Sequence, residues 1–221
     1  MTKTLITGCG LSGTHFTRTV LRACDVDVGH EIIREDGAVS WLHASWMHPK
    51  CWDETLTCGN RAWTGGNICE EVDGDVNEFD TVIRQIRNPR KIATSYALDA
   101  HGASWRFARQ VIEGVYGIEF PWPPKKDIVA AGVCYTWFWL RLAGYAADWT
   151  YRVEDMGDVL ETLVSVCGGD TEKVFQALED ANTREGSRQT KKGYDYWTWE
   201  QIWDVPWGCE LYAFAEQFGY E

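Results

Sequence analysis

The chain has 221 residues, 45% of them hydrophobic, which is enough to bury a substantial core and reads most simply as one α/β domain spanning residues 1–221. A formal net charge of −12 argues against a non-specific nucleic-acid or anionic-membrane binder, since both need a broad basic surface. The opening Met1-Thr2-Lys3-Thr4 runs straight into an apolar strand with no room for a signal core, so a cytoplasmic protein is expected.

In chain order, Leu5-Ile6-Thr7 is a short apolar run that breaks into Gly8-Cys9-Gly10-Leu11-Ser12-Gly13 and resumes with helical spacing. Glycines let the backbone turn sharply and aim N–H groups at an anion, and the positive end of the following helix adds to the same spot. The stretch reads as a strand, a phosphate cradle and a helix start. Its spacing fits two patterns, because Gly8-x-Gly10-x-x-Gly13 is a dinucleotide fingerprint and Gly8-x-x-x-x-Gly13 is most of a P-loop. Phe16, Val20, Leu21 and Cys24 then recur at near-helical spacing, and Val26-Asp27-Val28 alternates like a short strand ending at Gly29-His30-Glu31. Ligands of a parallel sheet sit at the carboxyl ends of its strands, so His30 and Glu31 should emerge beside the cradle. Between Glu35 and Asp80 the pattern weakens, and helix and loop covering the site are expected. His43, His48, Cys51, Cys58 and Cys69 gather there without the paired Cys-x-x-Cys spacing of structural zinc, so no metal is expected. Most of the eight cysteines suit reduced core thiols.

Phe79 to Ile86 is rich in β-branched residues and reads as the next strand, although Arg84 and Gln85 interrupt its apolar run. Arg87 ends it, Asn88 suits a helix N-cap and Pro89 the first helical position, so a helix over Arg90 to Asp99 should begin at the sheet edge. Further helix is expected around Ser104 to Glu113, with a break at Pro121-Trp122-Pro123-Pro124. Ile128 to Leu140 is a 13-residue apolar run stopped by Arg141. It reads as a buried helix, short of the roughly 18 to 20 residues a bilayer span needs. Thr150 to Val153 looks like a strand, followed by an amphipathic helix through Val159, Leu160, Leu163, Val164 and Cys167. Val174, Phe175 and Leu178 imply another helix, and the polar stretch from Asn182 to Gly193 reads as a mobile loop. Thr198 and Gln201 have capping-box spacing for a last helical segment that Pro206 interrupts.

Arg87-Asn88-Pro89-Arg90-Lys91-Ile92-Ala93-Thr94-Ser95-Tyr96 resembles the 3′-phosphate segment of PAPS-dependent sulfotransferases, in which an arginine and a serine eight residues later grip that phosphate. Gly10-Leu11-Ser12-Gly13-Thr14-His15-Phe16 looks like the 5′-phosphosulfate loop of the same family. Tyr151-Arg152-Val153-Glu154-Asp155-Met156 is similar to its Arg-Tyr-Glu-Asp-Leu strand end, and Thr198-Trp199-Glu200-Gln201-Ile202 to a Thr-Trp-Glu-Asp segment of bacterial members. The resemblance implies a three-layer P-loop-type parallel sheet flanked by helices. It also implies transfer of a sulfuryl group from PAPS to a hydroxyl or amine, leaving PAP, which is adenosine 3′,5′-bisphosphate. Backbone donors from Leu11 to His15, with the Ser12 and Thr14 hydroxyls, would hold the 5′-phosphate. Arg87 and Ser95 would hold the 3′-phosphate.

Leu11 departs from the family, which usually carries Lys or Arg there, and a lost cation of that kind slows transfer by about 10²- to 10³-fold unless replaced. His15 is the nearest substitute. For the base that takes the acceptor's proton, Glu31 ranks first, with His30 and His101 as alternatives. Arg184, Arg188, Lys191 and Lys192 gather in a polar stretch where the family commonly covers its nucleotide with a basic loop. The 13 tryptophans suit either core packing or an aromatic-lined acceptor pocket. The acceptor itself, whether small molecule, lipid, saccharide or peptide, is left open. Two other readings compete: a sulfotransferase fold that binds the nucleotide without transferring sulfate, and a Rossmann NAD-dependent oxidoreductase, for which Glu31 stands 18 residues after Gly13, near the place of a ribose-binding acid.

Overall fold

The computed structural model describes residues 3–52, 79–99, 102–121, 127–189 and 195–221. Its five strands are β1 (Thr4–Thr7), β2 (Val28–His30), β3 (Gly37–Ser40), β4 (Thr81–Ile86) and β5 (Trp149–Arg152). They pair in parallel throughout, in the order β2-β3-β1-β4-β5. The helices are α1 (Thr14–Ala23), α2 (Pro89–Asp99), α3 (Gly102–Tyr116), α4 (Ile128–Ala143), α5 (Met156–Val166), α6 (Val174–Gln189), α7 (Trp199–Trp203) and α8 (Gly208–Gln217).

The sheet is covered on both faces, as parallel sheets require. Ile6, Val28, Val39, Ile83 and Tyr151 point to one side and pack with Val20 and Leu21 of α1, Leu160 and Leu163 of α5, and Ala177 of α6. On the other side Ile86 joins Ile92 of α2, Ile112 of α3, Leu140 of α4 and Leu211 of α8. Each such aliphatic side chain, removed from water, stabilises the fold by about 1.5 to 3 kcal/mol. α4 is buried over most of its length and starts where the Asp127 carboxylate accepts the Ala130 N–H at 2.9 Å. No helix among the described residues is long and apolar enough to cross a membrane.

Three expectations need correction. β3 lies inside the segment read as helix and loop. Its Gly37-Ala38-Val39-Ser40 is wholly buried between β2 and β1, so it shows neither polar alternation nor a β-branched run. The strand expected at 26–28 begins at Val28 instead and extends to His30. The polar stretch from Asn182 continues α6 to Gln189 rather than looping. The first half of that helix is anchored through Ala177 and Ala181, and extending a nucleated helix is far easier than starting one. Residues 122–124 of the expected proline break lie outside the described residues.

Candidate functional site

β1 ends at Thr7, and the loop from Gly8 to Gly13 carries the chain into α1 at the carboxyl edge of the sheet. A Cβ on Gly8 would come within 2.6 Å of the Gln85 carbonyl, so the loop leaves β1 only because no side chain stands there. Gly13 adopts φ 97°, the left-handed region that glycine enters without strain, and gives α1 no side-chain cap. The first N–H groups of α1 are therefore left for an external acceptor. Two loop donors are already engaged: Gly10 N–H donates to the Tyr135 hydroxyl at 2.8 Å, and Ser12 N–H to the Cys9 carbonyl at 3.1 Å. Leu11 occupies the left-handed region at φ 66°, which costs a residue with a Cβ about 1 to 2 kcal/mol. The residue is 40% exposed.

Behind the loop runs a buried polar chain. Gln85 Nε2 donates to the Ser12 carbonyl and hydroxyl, both at 3.1 Å. Gln85 Oε1 accepts from the Tyr151 hydroxyl at 3.0 Å, and that hydroxyl meets Thr17 of α1 at 3.2 Å. One glutamine in the middle of the sheet thus ties β4, β5, α1 and the loop together.

Beside the loop, at the ends of β2 and β3, lies an ionisable cluster. His30 Nε2 is 3.1 Å from the Thr14 hydroxyl and 3.6 Å from Glu31 Oε1. The His15 ring, exposed on the first turn of α1, lies 5.3 Å from that of His30. Glu31, at φ 61°, turns the chain back after β2, and its carboxylate accepts from the Ser40 hydroxyl and, at 3.3 Å each, from the N–H groups of Trp41 and Leu42. Burial raises the Glu31 carboxyl to about 7 against the opposing pull of those donors. Burial, then His15 and Arg18, lower the His30 imidazole to about 4. His30 is thus neutral at pH 7, and its approach to Glu31 is a dipolar contact rather than an ion pair. At that pH the buried carboxyl is poised between its two protonation states, as a group that accepts and releases protons should be.

One strand over, the β4–α2 corner opens at the same edge. Asn88 Oδ1 accepts the N–H groups of Arg90 at 3.0 Å and Lys91 at 3.4 Å, so the expected cap is formed. The Asn88 N–H donates to Glu154 Oε1 at 3.1 Å, and Glu154 Oε2 accepts the Tyr220 hydroxyl at 2.7 Å. The end of β5 thereby fixes the start of α2. Arg87 Nη1 donates to the Leu11 carbonyl at 3.2 Å. Ser95 is buried on α2, about two turns from its start.

Of the residues singled out from sequence, Gly10, Leu11, Ser12, Gly13, Thr14, His15, His30 and Glu31 come together around the loop, and Arg87 reaches it from β4. Arg188 falls within the α6 backbone, whereas His101, Lys191 and Lys192 lie outside the described residues. Four contributors were not foreseen: Gln85, Tyr135, the Ser40-Trp41-Leu42 cradle of Glu31, and Arg18, whose charge bears on His30. A glutamine inside a strand of buried aliphatics was the one signal available, whereas Tyr135 hid within the apolar run of α4. Trp41 packs against Tyr96, Phe107, Tyr135 and Trp139, all four of them buried, so these rings form core beneath the loop. Among the described residues no three of His, Cys, Asp or Glu gather as metal ligands. Cys58 and Cys69 lie outside those residues.

The fold and site define a three-layer parallel α/β protein with a glycine loop, an uncapped helix start and a buried acid–imidazole cluster at one sheet edge. Comparison with protein-family models, with curated proteins and with solved structures finds no match for this chain.

Proposed function

We propose that the chain is a PAPS-dependent sulfotransferase. The observation that carries this reading is the adjacency of its two phosphate-type motifs. β1 and β4 are neighbours, so the Gly8–Gly13 loop and the Arg87–Asn88 corner open side by side, which suits a single ligand phosphorylated at both ends. The donor supplies a sulfuryl group: its S–O bond to the 5′-phosphate breaks, a new S–O bond to the acceptor forms, the acceptor's proton leaves to a base, and adenosine 3′,5′-bisphosphate remains.

The chain's part is positioning and charge. The uncapped N–H groups at the start of α1, with the Thr14 hydroxyl, hold the 5′-phosphate end, while the Ser12 hydroxyl, expected there, is buried behind the loop on Gln85. Ser95 and the start of α2, with Arg87 at the corner, hold the 3′-phosphate. His30, about a third exposed, meets the acceptor, while Glu31, raised to about 7, supplies basicity behind it. The strand order weighs against the oxidoreductase alternative, because dinucleotide-binding sheets set β1 beside β2 whereas here β3 stands between them.

The test is thermal stabilisation of the full chain by adenosine 3′,5′-bisphosphate, NAD and ATP, followed by transfer of labelled sulfate from PAPS to a panel of acceptors. Stabilisation by the bisphosphate with a labelled product is expected. A shift with NAD and none with the bisphosphate overturns the reading, and bisphosphate binding with no labelled acceptor moves the chain to a nucleotide-binding role.

A further inference from the structure

The phosphate cradle carries no cation of its own. From Thr4 to Thr17 the sequence contains neither lysine nor arginine, and the first basic side chain along α1 is Arg18, a full turn beyond Thr14. A doubly charged 5′-phosphate end would meet backbone dipoles, the Thr14 hydroxyl and the His15 ring there, with no permanent charge. One of the dipoles also points the wrong way. Ser12 N–H closes a tight turn onto Cys9, with Leu11 held at φ 66°, and the Leu11 carbonyl sits in the loop itself. A carbonyl oxygen at an anion cradle repels the anion unless a donor covers it.

Arg87 covers it. β1 and β4 pair in parallel, with Thr7 opposite Arg84, so Arg87 follows β4 at the same edge at which the loop leaves β1. From there Nη1 donates to the Leu11 carbonyl at 3.2 Å. A guanidinium is a permanent charge with five N–H donors in a planar fork, so one donor on the carbonyl leaves the others for a phosphate oxygen. Gln85 and Tyr151 fix the loop from behind, and Glu154 fixes the corner that Arg87 leaves, so the guanidinium is held between two anchored segments.

We propose that Arg87 supplies the charge of the Gly8–Gly13 loop, acting on the 5′-phosphate end of the ligand rather than only on the 3′-phosphate. This rests on the nucleotide reading above. His15 is the weaker candidate for the same task, because its ring lies against His30.

Binding separates the two ends without any need for turnover. The full chain is titrated with adenosine 5′-phosphate and adenosine 3′-phosphate, as wild type, R87A, L11K and the R87A/L11K pair, with a thermal melt of each variant. R87A is expected to weaken the 5′-phosphate by about 10- to 100-fold, in addition to the loss at the 3′-phosphate that Arg87 also holds. In the pair, a lysine at position 11 should recover most of the lost 5′-phosphate affinity. L11K in the wild-type chain, which does not depend on R87A folding, should gain less than about threefold because the charge is already present. A loss confined to the 3′-phosphate, or a gain above about tenfold from L11K alone, overturns this role of Arg87 while the nucleotide reading stands. Failure of the wild type to bind either nucleotide overturns both.

Discussion

Glu31 is the residue whose chemistry departs furthest from its ordinary behaviour. A carboxyl that ionises near 4.5 in the unfolded chain and near 7 in the fold binds its proton more tightly in the native state, so its contribution makes stability fall as pH rises from 4.5 to 7. Glu31→Gln keeps the shape and removes the buried charge. The amide also points an NH2 at one of the donors that the carboxylate accepts, a cost independent of pH, so relative to wild type the variant's stability should rise by up to about 3 kcal/mol between pH 4.5 and pH 8, as read from denaturant unfolding across that range. His30, lowered to about 4, acts in the opposite sense, since its contribution makes stability fall as pH drops from 6.5, so only the difference between Glu31→Gln and wild type isolates the carboxyl. Gln85 presents a structural test. Gln85→Leu leaves the Tyr151 hydroxyl and the back of the Ser12 turn without their partner in the interior, and should cost about 1 to 3 kcal/mol of unfolding free energy. At Leu11 the sign reverses. Leu11→Gly relieves the left-handed strain at φ 66° but frees the unfolded chain, for a net gain of about 0.5 to 1 kcal/mol.

At the scale of elements, local chemistry wrote most of the fold into the sequence. The Asn88 cap, the Thr198–Gln201 capping box and the break at Pro206 between α7 and α8 each depend on one or two residues with a fixed backbone role, and all are formed. Asn88→Ala should cost about 1 kcal/mol and loosen the start of α2, measurable by thermal unfolding and by amide exchange at Arg90 and Lys91. What escaped reading was set by tertiary neighbours. β3 is a strand because β1 and β2 flank it, and Gly37-Ala38-Val39-Ser40 carries no period of its own. The second half of α6 is polar enough to look like a loop, and it continues a helix anchored further back. The interruptions of β4 had purposes that a pattern of apolar residues cannot express. Arg84 lies over the rings of Phe214 and Phe218 at 5.6 and 5.5 Å and donates to Thr150 at 3.0 Å, while Gln85 turns inward to the loop. The loop of the candidate site was legible because glycine spacing is a backbone signal. The cradle around Glu31 was not, because Ser40, Trp41 and Leu42 reach it only through the β3 strand that the sequence concealed.

For the whole molecule, a sheet that sets β1 next to β4 brings two helix starts to one edge, and everything proposed for this chain depends on their sharing a ligand. The acidic surface implied by the net charge of −12 repels nucleotides at long range, so affinity must come from local groups: the uncapped start of α1, the Thr14 hydroxyl, Arg87 and Ser95. The most direct measurement is an equilibrium titration of the full chain, at fixed salt, with adenosine 3′,5′-bisphosphate, adenosine 5′-phosphate and adenosine 3′-phosphate. If both corners hold one nucleotide, the bisphosphate binds at least about tenfold tighter than either monophosphate, because each added phosphate brings its own charged hydrogen bonds. Equal affinities for all three would mean that only one corner is used, and no binding of any of them would contradict the account at its root.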